Sequence, residues 1–225
     1  MLVKDITPMS EQAHREPKKT CQQTKSQNTR TAILEAALAC FYRLGYSNTT
    51  TESIAKEAGL SRGAMLHHFA NRFELIKGAI EHLSAQRLQD YAREELEAQA
   101  NATQARIEDG IDVYWRQLNT PAFIVYHELL VAARTDSELR EALQPAHDRF
   151  QAALYETSRQ VFPDLAQSEA FARANHLTKY LLEGMAIARM TGIGQIPDKL
   201  MLEWLKTWLR GAFQDVLTDT KTELR

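Results

Sequence analysis

The run TTTESIAKEAGLSRGAMLHHF at residues 49–69 constrains this chain most, because it forces two short helices to meet across a tight turn. Thr49 stands three residues before Glu52, the spacing of a capping box, which predicts a helix over 50–58 with Ile54, Ala55 and Ala58 on its apolar side. Gly59 supplies the left-handed residue that ends a helix, Leu60 is a buried turn residue, and Ser61 caps a third helix running to about Phe69. Ala55 and Gly59 are small where the two helices approach.

Two helices held at a steep angle in this way fit DNA: the second lies in a major groove about 12 Å wide while the first braces on the backbone. At about 100° per residue, Met65 and Phe69 point together into the domain core. His67 faces the opposite way, flanked by Gly63 and Ala64, with Arg62 and Leu66 on the shoulders. A face of glycine, alanine and histidine approaches base edges closely, Arg62 reaches guanine or phosphate, and the exposed amides at Ser61 suit a phosphate. His67 and His68 project about 100° apart and make a poor metal pair, so no metal is expected.

The rest of the chain is also helical in pattern. Apolar residues recur at helical spacing from Thr29 through Ile33, Ala36, Ala37, Cys40, Phe41 and Leu44 to a stop at Gly45. Further helices are expected over 74–99, 104–118, 122–133, 137–161, 168–190 and 198–217, with Pro145 kinking the fourth of these. No stretch alternates strictly over more than four or five positions, so the fold class is all-α. The expected organisation is a polar arm over 1–26, a three-helix DNA-binding domain over 27–75 with its helix-turn-helix at about 50–69, and a helical bundle over 76–225 for ligand binding and dimerisation. The arm is either inert or a basic strand that touches phosphates.

A length of 225 residues with 44% apolar composition suffices for a full core. The net charge of −2 hides an asymmetry: residues 1–77 carry eleven Lys/Arg against seven Asp/Glu, while the remainder is acidic. A basic first third points to a polyanion partner at one end. Cys21 and Cys40 are expected to be free thiols, since two cysteines make no disulfide framework. No apolar run approaches the roughly 20 residues that cross a bilayer, and residues 1–28 lack a signal-peptide core, so no membrane partner and a cytoplasmic location are expected.

The run 49–75, TTTESIAKEAGLSRGAMLHHFANRFEL, preceded by ILEAALACFYRLGY, resembles the DNA-binding domain of TetR/AcrR-family regulators. The resemblance covers about fifty contiguous residues and rests on Gly45-Tyr46, Ile54-Ala55, Ala58-Gly59, His68-Phe69 and Leu75. It implies that Thr50 and the start of the second helix touch the DNA backbone, that Arg62, Gly63, Ala64 and His67 read bases, and that Arg72, at a position usually Lys, anchors phosphate. The full expected contact set is Thr29, Arg30, Thr49, Thr50, Thr51, Ser61, Arg62, Gly63, Ala64, Leu66, His67, His68 and Arg72, with His68 also readable as a structural histidine. Leu66 departs from the family, which usually has a tyrosine there resting on the backbone. That departure is the one feature favouring an adaptor that has lost DNA binding.

Beyond about residue 80 the resemblance fades and periodicity carries the argument. Residues 122–133 are apolar nearly all round except for His127 and Glu128, which marks a helix in the middle of a bundle. These polar groups either satisfy one another or, with Tyr126, Tyr114 and Trp115, line an effector pocket; His176, Tyr180 and Glu183 share one face of the penultimate helix and either edge that pocket or pin an interface. Apolar stripes including Phe171, Leu177, Leu181 and Met185 on one helix, and Met201, Trp204 and Trp208 on the last, suit a four-helix dimer interface, the arrangement the resemblance implies; alternatively both face their own core. No phosphate loop, GxSxG elbow, HExxH or metal-spaced Cys/His cluster is present, so no enzyme and no cofactor are expected. The reading is a homodimeric repressor released from a palindromic operator in double-stranded DNA by a small, partly apolar effector.

Overall fold

The computed structural model describes residues 21–101, 107–163, 165, 168–192 and 197–213, and among these every regular element is a helix. In chain order they are α1 (Cys21–Leu44), α2 (Thr51–Glu57), α3 (Arg62–Leu66), α4 (Arg72–Asn101), α5 (Ile107–Leu118), α6 (Pro121–Ala132), α7 (Ser137–Val161), α8 (Glu169–Thr191) and α9 (Asp198–Ala212). The first three helices and the start of α4 form a small head around Ile33, Ala37, Cys40, Phe41, Ile54, Met65, Phe69 and Leu75, all buried. A larger bundle of α4 to α9 buries Phe123, Leu129, Leu139, Phe150, Leu182 and Leu205. The 30-residue α4, about 45 Å long at 1.5 Å per residue, belongs to both: it packs on α1 at its start and on α5 and α7 beyond.

Three boundaries differ from the sequence expectation. The first helix begins at Cys21 rather than near Thr29, so residues 21–26 of the expected arm are helical; residues 1–20 lie outside the described residues. Gln22–Asn28 are all exposed and carry no apolar stripe, yet a helix already held by its packed half extends cheaply by one hydrogen bond per residue. The cap of α2 is Thr50, not Thr49, and its partner is Ser53, not Glu52: Thr50 Oγ1 accepts from Ser53 N at 3.1 Å and Thr50 N donates to Ser53 Oγ at 3.0 Å. α3 is a single turn, and Ser61 caps it by accepting from Ala64 N at 3.1 Å.

The turns use glycine where handedness demands it. Gly45 at φ +79° and Gly59 at φ +68° occupy the left-handed region closed to most side chains, ending α1 and turning the chain from α2 to α3. α7 runs as one helix through Pro145, which is exposed. α6 differs from the expected fully buried helix: Phe123, Val125, Tyr126 and Leu129 face the core, whereas Val131 is exposed.

Candidate functional site

The α3 turn divides its residues cleanly. Met65 and Phe69 are sunk in the head, while Arg62, Gly63, Leu66 and His67 are exposed and Ala64 and His68 half-buried. Leu66 is 42% exposed, a large apolar side chain left in water on the shoulder of this face. Arg62 pairs with Glu52 on α2 at 2.9 Å, both side chains open to solvent. Such an exposed pair is weak and exchangeable, so an approaching phosphate or guanine can displace the carboxylate. Thr50 and Thr51 stand at the start of α2 on the same side of the turn, with Thr51 Oγ1 donating to Glu52 Oε2 at 3.2 Å.

Four of the expected contact residues are instead occupied within the protein. Thr49 is 2% exposed and its hydroxyl donates to Gly45 O at 2.7 Å, so it is a structural residue and not a DNA contact; three consecutive threonines left the choice of cap open. Thr29 Oγ1 donates back to Lys25 O at 3.0 Å. Arg30 donates from Nη1 to His68 O at 2.8 Å with its guanidinium 4.1 Å from the Phe69 ring centroid, tying α1 to the end of the reading turn. Arg72, at the start of α4, donates to Thr49 O at 2.8 Å, which leaves the remainder of its exposed fork for phosphate.

Besides the continuous α4, the head is fastened to the bundle through α6 and the turn that follows it. The Glu128 carboxylate on α6 accepts from Tyr46 N in the turn after α1, and a Cβ at Gly45 would come 2.7 Å from Glu128 Oε1. The Tyr46 hydroxyl donates to Asp136 Oδ2 at 3.0 Å, and Arg72 lies 5.6 Å from the same ring's centroid. Burial, and then this bond to Asp136, pushes the Tyr46 hydroxyl up to about 12. Asp136 also caps α7 by accepting from Leu139 N, and that backbone bond is the main reason its carboxyl lies below the usual range.

Inside the bundle a cavity of about 260 Å³ opens between α4, α5, α7, α8 and α9. Of the residues expected to line it, the structure brings Tyr114 and His176 to its wall and holds the others elsewhere. Glu183 stands behind the wall and accepts from Tyr114 Oη at 2.8 Å. Tyr126 bonds His147 and covers Arg87, whose buried guanidinium is sandwiched 3.9 Å from the ring centroids of Tyr126 and Phe150. His127 stacks on Phe123, Tyr180 is exposed, and Trp115 packs against the core without reaching the cavity. Sequence reasoning missed Tyr91 and Glu95, which reach the cavity from α4 one helical turn apart. An acid in an amphipathic helix carries no mark of burial until the partner helices are in place.

The expected interface stripes split as well. Phe171 and Met185 are buried in their own subunit, Phe171 forming part of the cavity wall, so neither faces a partner. Leu181 and Met201 are half-buried against the core. Leu177, Trp204 and Trp208 are exposed, the two tryptophans stacked with centroids 6.3 Å apart, and exposed Tyr180 and Leu200 extend the same helices' apolar surface. No described helix is long and apolar enough to cross a membrane.

A family model described as bacterial regulatory proteins, tetR family, matches residues 33–79, the head and the first turns of α4. Over 175 residues the chain is 27% identical to an uncharacterized HTH-type transcriptional regulator of Mycobacterium tuberculosis, covering 75% of this chain and 86% of that one. Among solved structures, a transcriptional regulator from Rhodococcus sp. Rha1 superposes with a TM-score of 0.64 at 18% identity, over 83% of this chain and 96% of that one. The multidrug binding protein EbrR complexed with imidazole superposes at a TM-score of 0.53 and 20% identity, over 78% and 92%. These two likenesses are of fold.

Proposed function

This chain belongs to the tetR family of bacterial regulatory proteins, a DNA-binding transcriptional regulator, and from that premise we propose that it is a homodimeric repressor released from a palindromic operator by a small molecule held in the bundle cavity. One observation carries the operator reading: the exposed half of α3, with Arg62, Gly63, Leu66 and His67 outward over buried Met65 and Phe69. In this reading Arg62 and His67 meet base edges, Gly63 and Ala64 let the backbone come close, and Leu66 packs on sugar or a thymine methyl in place of a polar backbone contact. Thr50, Thr51, the amides at Ser61 and the free part of Arg72 hold phosphates. Leu177, Trp204 and Trp208 supply the self-complementary apolar face of the dimer. The cavity is the effector site, in keeping with the imidazole that EbrR holds in the same fold. A ligand that reshapes α4 and α5 around the cavity shifts the population toward a spacing of the two heads that no longer matches successive major grooves.

Selection of bound sequences from randomised DNA by the purified protein, followed by titration of the winner at two salt concentrations, tests the operator reading. The expected result is a palindrome bound with steep salt dependence. Failure to enrich any sequence would instead favour an adaptor, and Leu66→Tyr would then be the first variant to examine. Ligands found by thermal shift must weaken operator binding; a stabilising ligand that leaves operator affinity untouched argues against repressor release.

A further inference from the structure

We propose that the bundle cavity receives a small organic cation, an amine or quaternary ammonium with an apolar body, whose positive charge is held by the Glu95 carboxylate among aromatic walls. The assignment rests on the reading of this cavity as the effector site. Glu95 projects from α4, lines the cavity and is 8% exposed. A carboxylate withdrawn from water needs a compensating charge, and the chain supplies none: among the described residues no lysine or arginine nitrogen lies within 4.0 Å of it. Arg116, the cation whose field reaches Glu95, is engaged by Glu94 at 3.0 Å. Asp109, also on the wall, adds a second negative charge, and the close interaction that remains is with the Tyr91 hydroxyl one helical turn back.

Burial accordingly raises the Glu95 carboxyl above its ordinary range, and a bound cation would relieve that cost. Lys179, the lysine on the cavity wall among the described residues, is half-buried with its ammonium 5.2 Å from the ring centroid of exposed Tyr180, and it forms no ion pair with Glu95. Tyr91, Tyr114, Phe162 and Phe171 give the wall the aromatic character that attracts a desolvated cation, and Leu154 and Leu209 offer surface to an apolar body. An anion would meet Glu95 and Asp109 in repulsion, and a neutral guest would leave Glu95 uncompensated.

Isothermal titration of the full-length protein with three matched probes tests this. Benzyltrimethylammonium is expected to bind, and benzyl alcohol and phenylacetate to bind at least about 10-fold more weakly. Glu95→Gln is expected to melt at or above the parent's temperature and to lose the preference for the cation, while Glu95→Asp keeps part of it. Equal affinity for the three probes, or a Glu95→Gln protein that still prefers the cation, overturns the assignment yet leaves the cavity an effector site if Leu154→Trp, which fills it, abolishes binding. Binding of benzyltrimethylammonium that survives Leu154→Trp, or binding of none of the probes, overturns both.

Discussion

Arg62 and Arg72 stand at opposite ends of the reading turn and are engaged differently, which separates their effects. Arg62 is held by an exposed carboxylate that it can leave; Arg72 is committed to Thr49 O and to the Tyr46 ring. Arg62→Ala is therefore expected to leave the melting temperature unchanged while weakening operator binding by about 1–3 kcal/mol, measured by fluorescence anisotropy. If Arg62 reads a base, discrimination at one operator position falls with it; a uniform loss across sequences assigns it to phosphate. Thr49→Val is expected to act the other way, lowering stability through the lost bond to Gly45 O while sparing the intrinsic DNA contacts. The inward aim of Met65 and Phe69 was legible in the sequence because it follows from helical period alone. The roles of Thr49 and Arg30 were not, because they depend on carbonyls at Gly45 and His68 that only the folded turn presents.

Among the elements, α6 carries the connection between head and bundle: Tyr126 on one side meets Arg87 and His147, and Glu128 two residues on grips the Tyr46 amide. Gly45→Ala would force a side chain into the left-handed region, at about 1–2 kcal/mol, and drive a methyl group against the Glu128 carboxylate. The expected outcome is a lower melting temperature together with a smaller change in operator affinity on adding effector; an unchanged ligand response would mean that the signal bypasses this contact. The histidines of the same region predict a pH response. His127 and His147 lie below their ordinary 6.5, in each case chiefly because of burial. The folded chain thus binds these protons less readily than the unfolded chain, so stability is held above about pH 6.5 and declines as the pH falls below it. Melting curves at pH 7.5 and 5.5 should show that decline, reduced in His147→Gln. None of this was readable from α6 as a string. Its near-continuous apolar character predicted a helix, but which of its polar residues met the head and which the bundle was decided by partners 21 and 82 residues away.

For the molecule as a whole, the all-helical class followed from period, caps and glycine stops, which are local. Assignment of the α8 and α9 stripes was beyond the sequence, because an apolar stripe has the same spacing whether it meets its own core or another subunit. The structure buries Phe171 and Met185 in the chain's own core and leaves Trp204 55% exposed beside Trp208. Trp204→Asp is accordingly expected to yield folded monomer by light scattering and to reduce operator affinity, since each half-site then binds alone; a dimer that persists would move the interface off α9.

Arg30 onto His68 O and Arg72 onto Thr49 O fasten both ends of the helix-turn-helix to the long helices that flank it. These two braces oppose any change in what the head's surface spells when a distant ligand binds. On the proposed dimeric reading, the vocabulary of the half-site stays fixed and the gap between two half-sites is what a ligand adjusts. Operators selected in the presence of effector should therefore keep the same letters and differ in the number of base pairs between them.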